Sequence, residues 1–287
     1  MSELTQMKTP LTCADINIRD PFVLCQDGKY YMYGTRAENF GRKTGGFDVY
    51  ISEDLINWSE PVECFNSDDF NMNVEVNWAP EVHKYKGDYY MFATFTRENG
   101  LRGTFALKAD SPLGPFVQHS EKALTPEDWE CLDGTLYIES GKPYLVFCHE
   151  HTQIIDGTMC YVELSDDLKK AIGEPVYLFH ATSPYYVTKS DDPDKHYITD
   201  GPFMHRRENG ELYMLWSTHL NNKYAQCLVK FDEGTITGKF THLDPIVTSD
   251  GGHGMVFRDG ENLILTYHSP NKTDYERPVF VNLNKLK

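Results

Sequence analysis

The chain has 287 residues, of which 43 are acidic and 27 are basic, so its formal net charge is −16 with neutral histidines. Nucleic acids and anionic membrane surfaces both bind clustered lysines and arginines, so this composition argues against either partner. A domain of this length buries roughly 75% of the surface that its unfolded chain exposes, so its core needs no disulfide or metal. We therefore expect a single globular domain over residues 1–287.

The cysteines and the N-terminal residues bear on the cellular compartment. The seven cysteines are odd in number and show no CxxC or zinc-like spacing, which argues against a disulfide framework and a structural zinc site. Residues 1–11 lack a positively charged end followed by an apolar stretch, and no apolar run reaches the roughly 18 residues of a membrane span. We expect a soluble, cytoplasmic protein.

One pattern recurs five times along the chain. In each copy a short apolar stretch precedes a polar turn with a glycine, and alternating apolar or aromatic residues follow it, which is typical of a β-hairpin. Third strands follow the hairpins, and fourth strands are predicted within residues 62–65, 116–119, 176–179 and 240–243. The turn glycines, spaced 50 to 69 residues apart, are Gly28, Gly87, Gly141, Gly210 and Gly260.

Five repeats of four short strands predict an all-β protein, a five-bladed β-propeller with four-stranded antiparallel blades, in which each blade protects its edges against its neighbours. A β-sandwich with similar turns is the alternative. The fifth repeat ends after its third strand, at residues 278–283. We expect that residues within 7–14 supply the missing fourth strand and so close the ring.

Titratable residues stand just before the first strand in four of the five repeats: Asp20, Asp133, Asp200 and His253, with Ala79 in the second repeat. First strands line the central channel of a propeller, so equivalent positions converge on its axis. A single aspartate before Gly or Pro is also explained as a turn residue that binds its own backbone. Three carboxyls and an imidazole together indicate chemistry or cation binding, because like charges at close range are costly.

Two carboxyls beside aromatic rings are suited to glycoside hydrolysis, in which one activates water and the other protonates the departing oxygen. Trp78, Phe22 and Phe203 are candidates for stacking on a sugar, with packing between blades as the alternative. In each blade the second strand ends at the face of the propeller where the first strand begins. Polar residues at these ends, predicted to form subsites, are Arg36, Thr96, Arg97, His149, Glu150, His151, His219 and His268.

The motifs resemble those of glycoside hydrolase family 43 over about residues 18–271. The resemblance implies a five-bladed propeller and an inverting hydrolase that releases terminal α-L-arabinofuranosyl or β-D-xylosyl residues from plant-derived oligosaccharides. The motifs that carry it are Arg19-Asp20-Pro21-Phe22, Asn77-Trp78-Ala79-Pro80-Glu81-Val82, Asp133-Gly134-Thr135-Leu136, Asp200-Gly201-Pro202-Phe203 and Gly252-His253-Gly254.

The resemblance also implies roles for single residues. Asp20 matches the general base, Asp133 the residue that orients and tunes the acid, and His253 a central histidine that contacts a calcium ion or its waters in many members of the family. Calcium is therefore the one cofactor that we expect, and an oligosaccharide is the expected partner. The residues predicted to contact substrate are Phe22, Arg36, Trp78, Glu81, Phe203, His253 and His268.

The sequence departs from the family at the general acid, which is usually glutamate and is Asp200 here. Losing a methylene withdraws the carboxyl by roughly 1.5 Å, and misplacement by about 1 Å can cost 10²-fold in rate. Asp200 can be the acid if its strand lies closer to the substrate. Alternatively, another carboxyl, Glu150 or Glu81, acts in its place, and Glu150 is the stronger reserve. As a third possibility, the protein binds sugar without cleaving it. A propeller glycoside phosphorylase is a further alternative, with Arg36, Arg97 and the histidines as its candidate phosphate site.

Overall fold

The computed structural model describes residues 10–36, 45–69 and 76–285, and in these residues 19 strands form five antiparallel sheets, the blades of a β-propeller. Blade one contains β1 (Ile18–Gln26), β2 (Lys29–Arg36), β3 (Gly46–Ser52) and β4 (Val62–Asn66). Blade two contains β5 (Asn77–Tyr85), β6 (Asp88–Thr96), β7 (Arg102–Ala109) and β8 (Val117–Gln118).

The remaining blades follow in chain order. Blade three contains β9 (Cys131–Glu139), β10 (Lys142–His149), β11 (Thr158–Leu164) and β12 (Ala171–His180), with the short helix α1 (His151–Ile154) between β10 and β11. Blade four contains β13 (Asp200–Arg206), β14 (Leu212–Leu220), β15 (Lys223–Phe231) and β16 (Phe240–Val247). Blade five contains β17 (Gly252–Asp259), β18 (Asn262–Ser269) and β19 (Arg277–Asn282).

The predicted five-bladed propeller is confirmed, and the β-sandwich alternative is wrong. Three of the five predicted hairpins turn through two residues that both have positive φ, as a type I′ turn requires; Asp27 and Gly28, at 52° and 75°, are one example. Blade five has three strands in the described part of the chain, as the end of the fifth repeat predicts. Across residues 10–36, 45–69 and 76–285, no helix has the length and apolar character needed to span a bilayer.

The expected fourth strand from the N-terminus is not found in residues 10–14, and residues 7–9 lie outside the described residues. Leu11 instead forms an antiparallel bridge with Trp58 in blade one, with hydrogen bonds of 2.9 and 2.8 Å. The physical reason is that Leu11 packs against the core cluster that contains the buried Trp58 ring. Within residues 10–14, Leu11 therefore pairs with blade one rather than extending blade five.

Side-chain contacts hold blade five against blade one. The Trp58 and Phe280 rings stack with centroids 5.7 Å apart, and Arg19 Nη1 lies 2.7 Å from Glu276 Oε1. Asn17 also donates a hydrogen bond of 3.1 Å to the carbonyl of Asp274. These contacts join the first and last blades without a shared sheet.

Aromatic side chains fill the space between blades. Phe47, Phe65, Phe95 and Phe105, from four strands of blades one and two, form a chain of rings with centroids 5.5 to 6.1 Å apart. Such ring pairs add about 0.5–1.5 kcal/mol each beyond the area that they bury. These four rings therefore pack blade one against blade two.

A bulge occurs near the start of every inner strand, where its pairing with the second strand shifts register. At each bulge one residue adopts positive φ, between 46° and 56°, which is uncommon for residues other than glycine. The bulge turns the backbone N–H of that residue away from its own sheet. The five bulge residues are Asp20, Ala79, Asp133, Gly201 and His253.

These five N–H groups link neighbouring blades. Each donates a hydrogen bond of 2.7 to 3.1 Å to a side chain of the preceding blade. The donors and acceptors are Asp20 N to His268 Nδ1, Ala79 N to Thr35 Oγ1, Asp133 N to Thr94 Oγ1, Gly201 N to Asp133 Oδ2, and His253 N to Ser217 Oγ. The first pair joins blade five to blade one, so the ring of hydrogen bonds is complete.

Candidate active site

The bulges correct the position predicted for Asp200. In blade four the bulge residue is Gly201, with φ of 50°, and Asp200 stands one residue earlier, opposite Ser217 on β14. Asp200 is thus equivalent to Arg19 in blade one. The physical reason is space, because a Cβ atom on residue 201 would lie 2.5 Å from Cδ2 of the His253 ring. Glycine is required at the bulge, so the carboxyl of blade four comes from the preceding residue.

His253 lies among the carboxyl groups of Asp20, Asp133 and Asp200. Its Nδ1 is 3.0 Å from Asp20 Oδ1 and 3.7 Å from Asp133 Oδ2. Burial disfavours the protonated ring, but the charges of Asp20, Asp133 and Asp200 outweigh burial and raise the pKa of His253 to about 10. His253 is therefore an imidazolium at neutral pH, and it donates its Nδ1–H to Asp20.

Asp20 is ionised. Its Oδ2 accepts a hydrogen bond of 2.7 Å from Thr35 Oγ1, and its Oδ1 accepts one from His253. Burial alone would raise the pKa of Asp20, yet the positive charges of His253 and Arg19 and the hydrogen bond from His253 hold that pKa well below its usual range. The carboxylate of Asp20 thus remains a proton acceptor throughout the pH range in which enzymes work.

His268 holds the backbone of Asp20 in place. Its Nδ1 accepts the N–H of Asp20 at 3.1 Å, which requires the lone pair on Nδ1 and places the proton on Nε2, 3.2 Å from Asn271 Oδ1. Burial and the neighbouring cations Arg19 and His253 lower the pKa of His268 to about 3 against the charge of Asp20. The ring is fully buried and stacks on Tyr224. The prediction that His268 contacts substrate is therefore corrected, since it positions the backbone of Asp20.

Asp133 and Asp200 have the opposite electrostatic environment to Asp20. Burial and then the charge of Asp20, opposed by His253, raise the pKa of Asp133 to about 6. Burial and then the charges of Asp133 and Glu150 raise the pKa of Asp200 to about 8. Asp200 is therefore mostly protonated at neutral pH, although Asp20 in the same cluster is ionised.

Two neighbours of Asp200 oppose this rise. Tyr224 donates its hydroxyl hydrogen to Asp200 Oδ2 over 2.9 Å, and this hydrogen bond lowers the pKa of Asp200, as does the positive charge of His253. Tyr224 is itself buried, and burial together with the charge of Asp200 raises the pKa of its hydroxyl well above the usual value. Its hydroxyl is therefore a hydrogen-bond donor at all pH values of interest.

Glu150, the reserve candidate for the acid, is occupied by other groups. It is the N-cap of α1, where its Oε1 accepts the N–H of His151 at 2.9 Å. Its Oε2 accepts a hydrogen bond of 3.0 Å from Arg102 Nη2 in a partly buried ion pair. Both carboxylate oxygens of Glu150 are thus engaged, and its negative charge contributes to keeping Asp200 protonated. Among the candidate acids, Asp200 has the electrostatic environment of a proton donor.

The carboxyls open into a cavity of about 310 Å³ at one end of the channel, large enough for a sugar residue. Of the three aromatic residues predicted to stack on a sugar, only Trp78 lines this cavity, where Arg102 lies 5.0 Å from the centre of its ring. The other lining residues are Arg19, Asp20, Leu132, Asp133, Glu150, His151, Ile198, Asp200, His219, Tyr224, His253, Asn271 and Thr273.

Phe22 and Phe203 lie elsewhere, which corrects their predicted role. Both line a separate apolar cavity further along the inner strands, and their ring centroids are 6.1 Å apart. Each follows its bulge residue by two positions, so the chain has already carried it down the channel from the carboxyls. The alternative role, packing between blades, is the correct one for these two rings.

Glu81 and Arg36 also lie outside the lining of the site. Glu81 accepts a hydrogen bond from Thr135 Oγ1 and lies 3.1 Å from His83 Nε2. Arg36 forms ion pairs with Asp48 at 2.6 Å and with Glu63 at 3.0 Å. Both charged groups are satisfied within or between blades, so neither contact predicted with substrate is supported by the structure.

Arg19, Arg102 and Tyr224 line the cavity but were not among the residues predicted from sequence. Arg102 begins β7 and Tyr224 is the second residue of β15, so both lie at the start of a third strand. Second strands end at this face and third strands begin there, so following each blade one strand further would have indicated both residues. Arg19 directly precedes Asp20 and belongs to the motif Arg19-Asp20-Pro21-Phe22.

The residues around His253 do not fit a directly bound calcium ion. Ca²⁺ takes six to eight oxygen ligands, but the nearest carboxylates, Asp20 and Asp133, accept N–H groups of His253 and Gly201. Within the described residues, no group of three or more His, Cys, Asp or Glu side chains could hold a metal ion. The imidazolium of His253 is itself a cation beside these carboxylates. Calcium held through water molecules stays a prediction.

Comparison with known proteins places this geometry in context. A crystal structure of an endo-arabinase from Bacteroides thetaiotaomicron VPI-5482 superposes with a TM-score of 0.85, at 35% identity over 98% of both chains. A xylosidase/arabinosidase of Bacteroides ovatus is 22% identical over 270 residues, which cover 83% of this chain and 81% of that protein.

A third relative is longer than this chain. An arabinoxylan arabinofuranohydrolase of Paenibacillus polymyxa is 27% identical over 140 residues, 42% of this chain and 22% of that protein, so the match spans less than a quarter of the relative. The profile of the family described as glycosyl hydrolases family 43 matches residues 14–284, nearly the whole chain and every element of the site. The chain belongs to glycosyl hydrolase family 43.

Proposed function

We propose that this protein is an inverting glycoside hydrolase that releases terminal α-L-arabinofuranosyl or β-D-xylosyl residues from plant-derived oligosaccharides. One observation carries the proposal: two carboxyls of one cavity, Asp20 and Asp200, are held in opposite protonation states. Glycoside hydrolysis needs that division, because one carboxyl must accept a proton while the other donates one.

The two carboxyls act on opposite faces of the sugar. Asp200 transfers its proton to the glycosidic oxygen as the bond from that oxygen to the anomeric carbon breaks. Asp20 accepts a proton from the water whose oxygen bonds to the anomeric carbon. Although the low pKa of Asp20 makes it a weak base, water becomes more acidic as it bonds to the oxocarbenium-like centre. Attack from the face opposite the leaving group inverts the configuration.

Asp133 is a positioning residue in this scheme. Its Oδ2 accepts the Gly201 N–H at 3.1 Å, which fixes the backbone directly after Asp200. Its negative charge is also the largest contribution after burial to the raised pKa of Asp200. Asp133 thus keeps the acid both in place and protonated, which is the role that the family resemblance implies.

The phosphorylase alternative loses both of its candidate arginines. Arg36 is paired with Asp48 and Glu63. Arg97 donates its guanidinium hydrogens to backbone carbonyls, including that of Pro126 at 2.6 Å. The histidines alone remain of that candidate phosphate site, and we propose water as the nucleophile.

Pentose specificity is supported by the names of the relatives, which are an endo-arabinase, an arabinoxylan arabinofuranohydrolase and a xylosidase/arabinosidase. The test is turnover of aryl α-L-arabinofuranosides, aryl β-D-xylosides and the corresponding oligosaccharides, with NMR detection of the first anomer released. We expect an inverted product and loss of turnover in Asp20→Asn. The exposed Asp110→Asn serves as the matched control and should retain full activity.

Two results would contradict the proposal. Unchanged turnover in Asp20→Asn would remove the assignment of the base. Calorimetric binding of the sugars without any product after long incubation would instead identify a non-catalytic carbohydrate-binding propeller.

A further inference from the structure

A second cavity adjoins the site. It has a volume of about 560 Å³ and shares two lining residues, Ile198 and His219, with the cavity that contains the carboxyls. Its walls come from the loop between β12 and β13 and from the end of the β14–β15 hairpin. Its remaining lining residues are Tyr186, Val187, Thr188, Lys195, His196, Tyr197, Thr218, Leu220, Asn221 and Asn222.

Among the described residues, basic side chains but no carboxylates line this second cavity. Lys195, His196 and His219 are its titratable bases, and no aspartate or glutamate of the described residues lines it. Burial lowers the pKa of His219 against the charge of Asp250, and the positive charge of Lys195 contributes to this lowering. Lys195 forms no ion pair with any described carboxylate. In a chain with a net charge of −16, such a cavity stands out.

The walls of the second cavity are held in place. Tyr197 is bound at both backbone groups, since its N–H donates to Ile155 O at 2.9 Å and its carbonyl accepts Gly157 N–H at 2.8 Å. On the opposite wall, Asn221 and Asn222 both have positive φ, 50° and 63°, and form a tight hairpin turn. These asparagines offer amide donors and acceptors to sugar hydroxyls.

The position of the second cavity relative to the general acid, Asp200, indicates which part of a substrate reaches this cavity. Ile198 lies two residues before Asp200, in the segment that enters blade four. Asp20 lies in blade one. The proposed function therefore places the sugar beyond the departing oxygen on the side of Ile198, which lines both cavities. This step depends on the proposed function.

We propose that the second cavity binds the sugar on the leaving-group side of the cleaved bond and that Lys195 selects a sugar that carries a carboxylate, a uronic acid. The exposed aspartates of the same loop, Asp191, Asp192 and Asp194, do not line the cavity, so a carboxylate within it meets Lys195 rather than these acids. An ion pair at such an accessible position is worth a few-fold in affinity.

The test compares two disaccharides with the same terminal α-L-arabinofuranosyl residue, one linked to galactose and the other to galacturonic acid. We expect kcat/KM about threefold to fivefold higher for the galacturonate at low salt, and a smaller preference at high salt, because ions screen the pair. Lys195→Gln should abolish the preference, so that kcat/KM becomes equal on the two disaccharides. Lys195→Glu should reverse the preference, and the exposed Lys239→Gln serves as the matched control.

Failure of this inference is distinct from failure of the proposed function. Equal rates on the two disaccharides in the wild type, or a preference that survives Lys195→Gln, would overturn the role of Lys195 while hydrolysis stands. If the wild type cleaves neither disaccharide, calorimetric binding of the same pair decides the matter. Tighter binding of the galacturonate that Lys195→Gln removes would support the inference, and equal binding would refute it.

Discussion

Removing the hydroxyl of Tyr224 should raise the pKa of the general acid. Tyr224 donates to Asp200 Oδ2 over 2.9 Å, and this hydrogen bond favours the ionised form of Asp200. Hydrogen bonds to charged groups contribute about 1.5–3 kcal/mol and those to neutral groups about 1, so the difference is about 1 kcal/mol. Since about 1.4 kcal/mol corresponds to one pKa unit, Tyr224→Phe should raise the pKa of Asp200, now about 8, by somewhat less than one unit.

The assay is the pH dependence of kcat/KM, in which the alkaline limb reports loss of the proton from the acid. In Tyr224→Phe that limb should move to higher pH, whereas the rate on the acidic side of the limb changes little. Tyr213→Phe is the matched control, because it removes a hydroxyl that donates to the surface carboxylate of Glu211 at 3.2 Å. An alkaline limb that stays in place, or moves to lower pH, in Tyr224→Phe would refute the reasoning.

Three further substitutions test neighbouring parts of the site and the fold. Glu150→Gln removes a negative charge that raises the pKa of Asp200, so the alkaline limb of kcat/KM should move to lower pH, opposite to Tyr224→Phe; no shift would exclude this coupling. Gly201→Ala places a methyl group 2.5 Å from the His253 ring, so we expect kcat/KM to fall by about 10²-fold, and a variant with full activity would contradict the bulge geometry. Burial lowers the pKa of His242 to about 4, so the unfolded chain binds more protons between about pH 6.5 and 4 and the free energy of unfolding decreases as the pH falls through that range. His242→Phe should lessen this decrease in denaturant titrations at pH 7 and 5, and an equal decrease in both proteins would contradict it.

The convergence of Asp20, Asp133 and His253 could be predicted from the sequence because it depends on one rule of the fold. First strands line the channel, so residues in equivalent places before those strands meet. The structure places these three residues at bulges with the same backbone conformation. The repeat was visible because turn glycines and alternating apolar residues are local signals, readable without any knowledge of contacts distant in the sequence.

The offset between Asp200 and Gly201 could not be predicted, because it depends on how closely the His253 ring approaches from another blade. The prediction that Phe22 and Phe203 stack on a sugar was wrong for a related reason. Distance along the channel changes with every residue after a bulge, and sequence spacing alone does not show where the cavity ends. Tyr224 carried no motif, and only its position at the start of a third strand connects it with the site.

The division of labour between Asp20 and Asp200 is tested most directly by changing the leaving group. A substrate with a dinitrophenyl leaving group needs no proton from the enzyme, whereas an oligosaccharide does. We predict that Asp200→Asn loses about 10²- to 10⁴-fold in kcat/KM on the oligosaccharide but less than about tenfold on the dinitrophenyl arabinofuranoside, whereas Asp20→Asn loses activity on both. Equal losses on the two substrates in Asp200→Asn would contradict its role as the general acid.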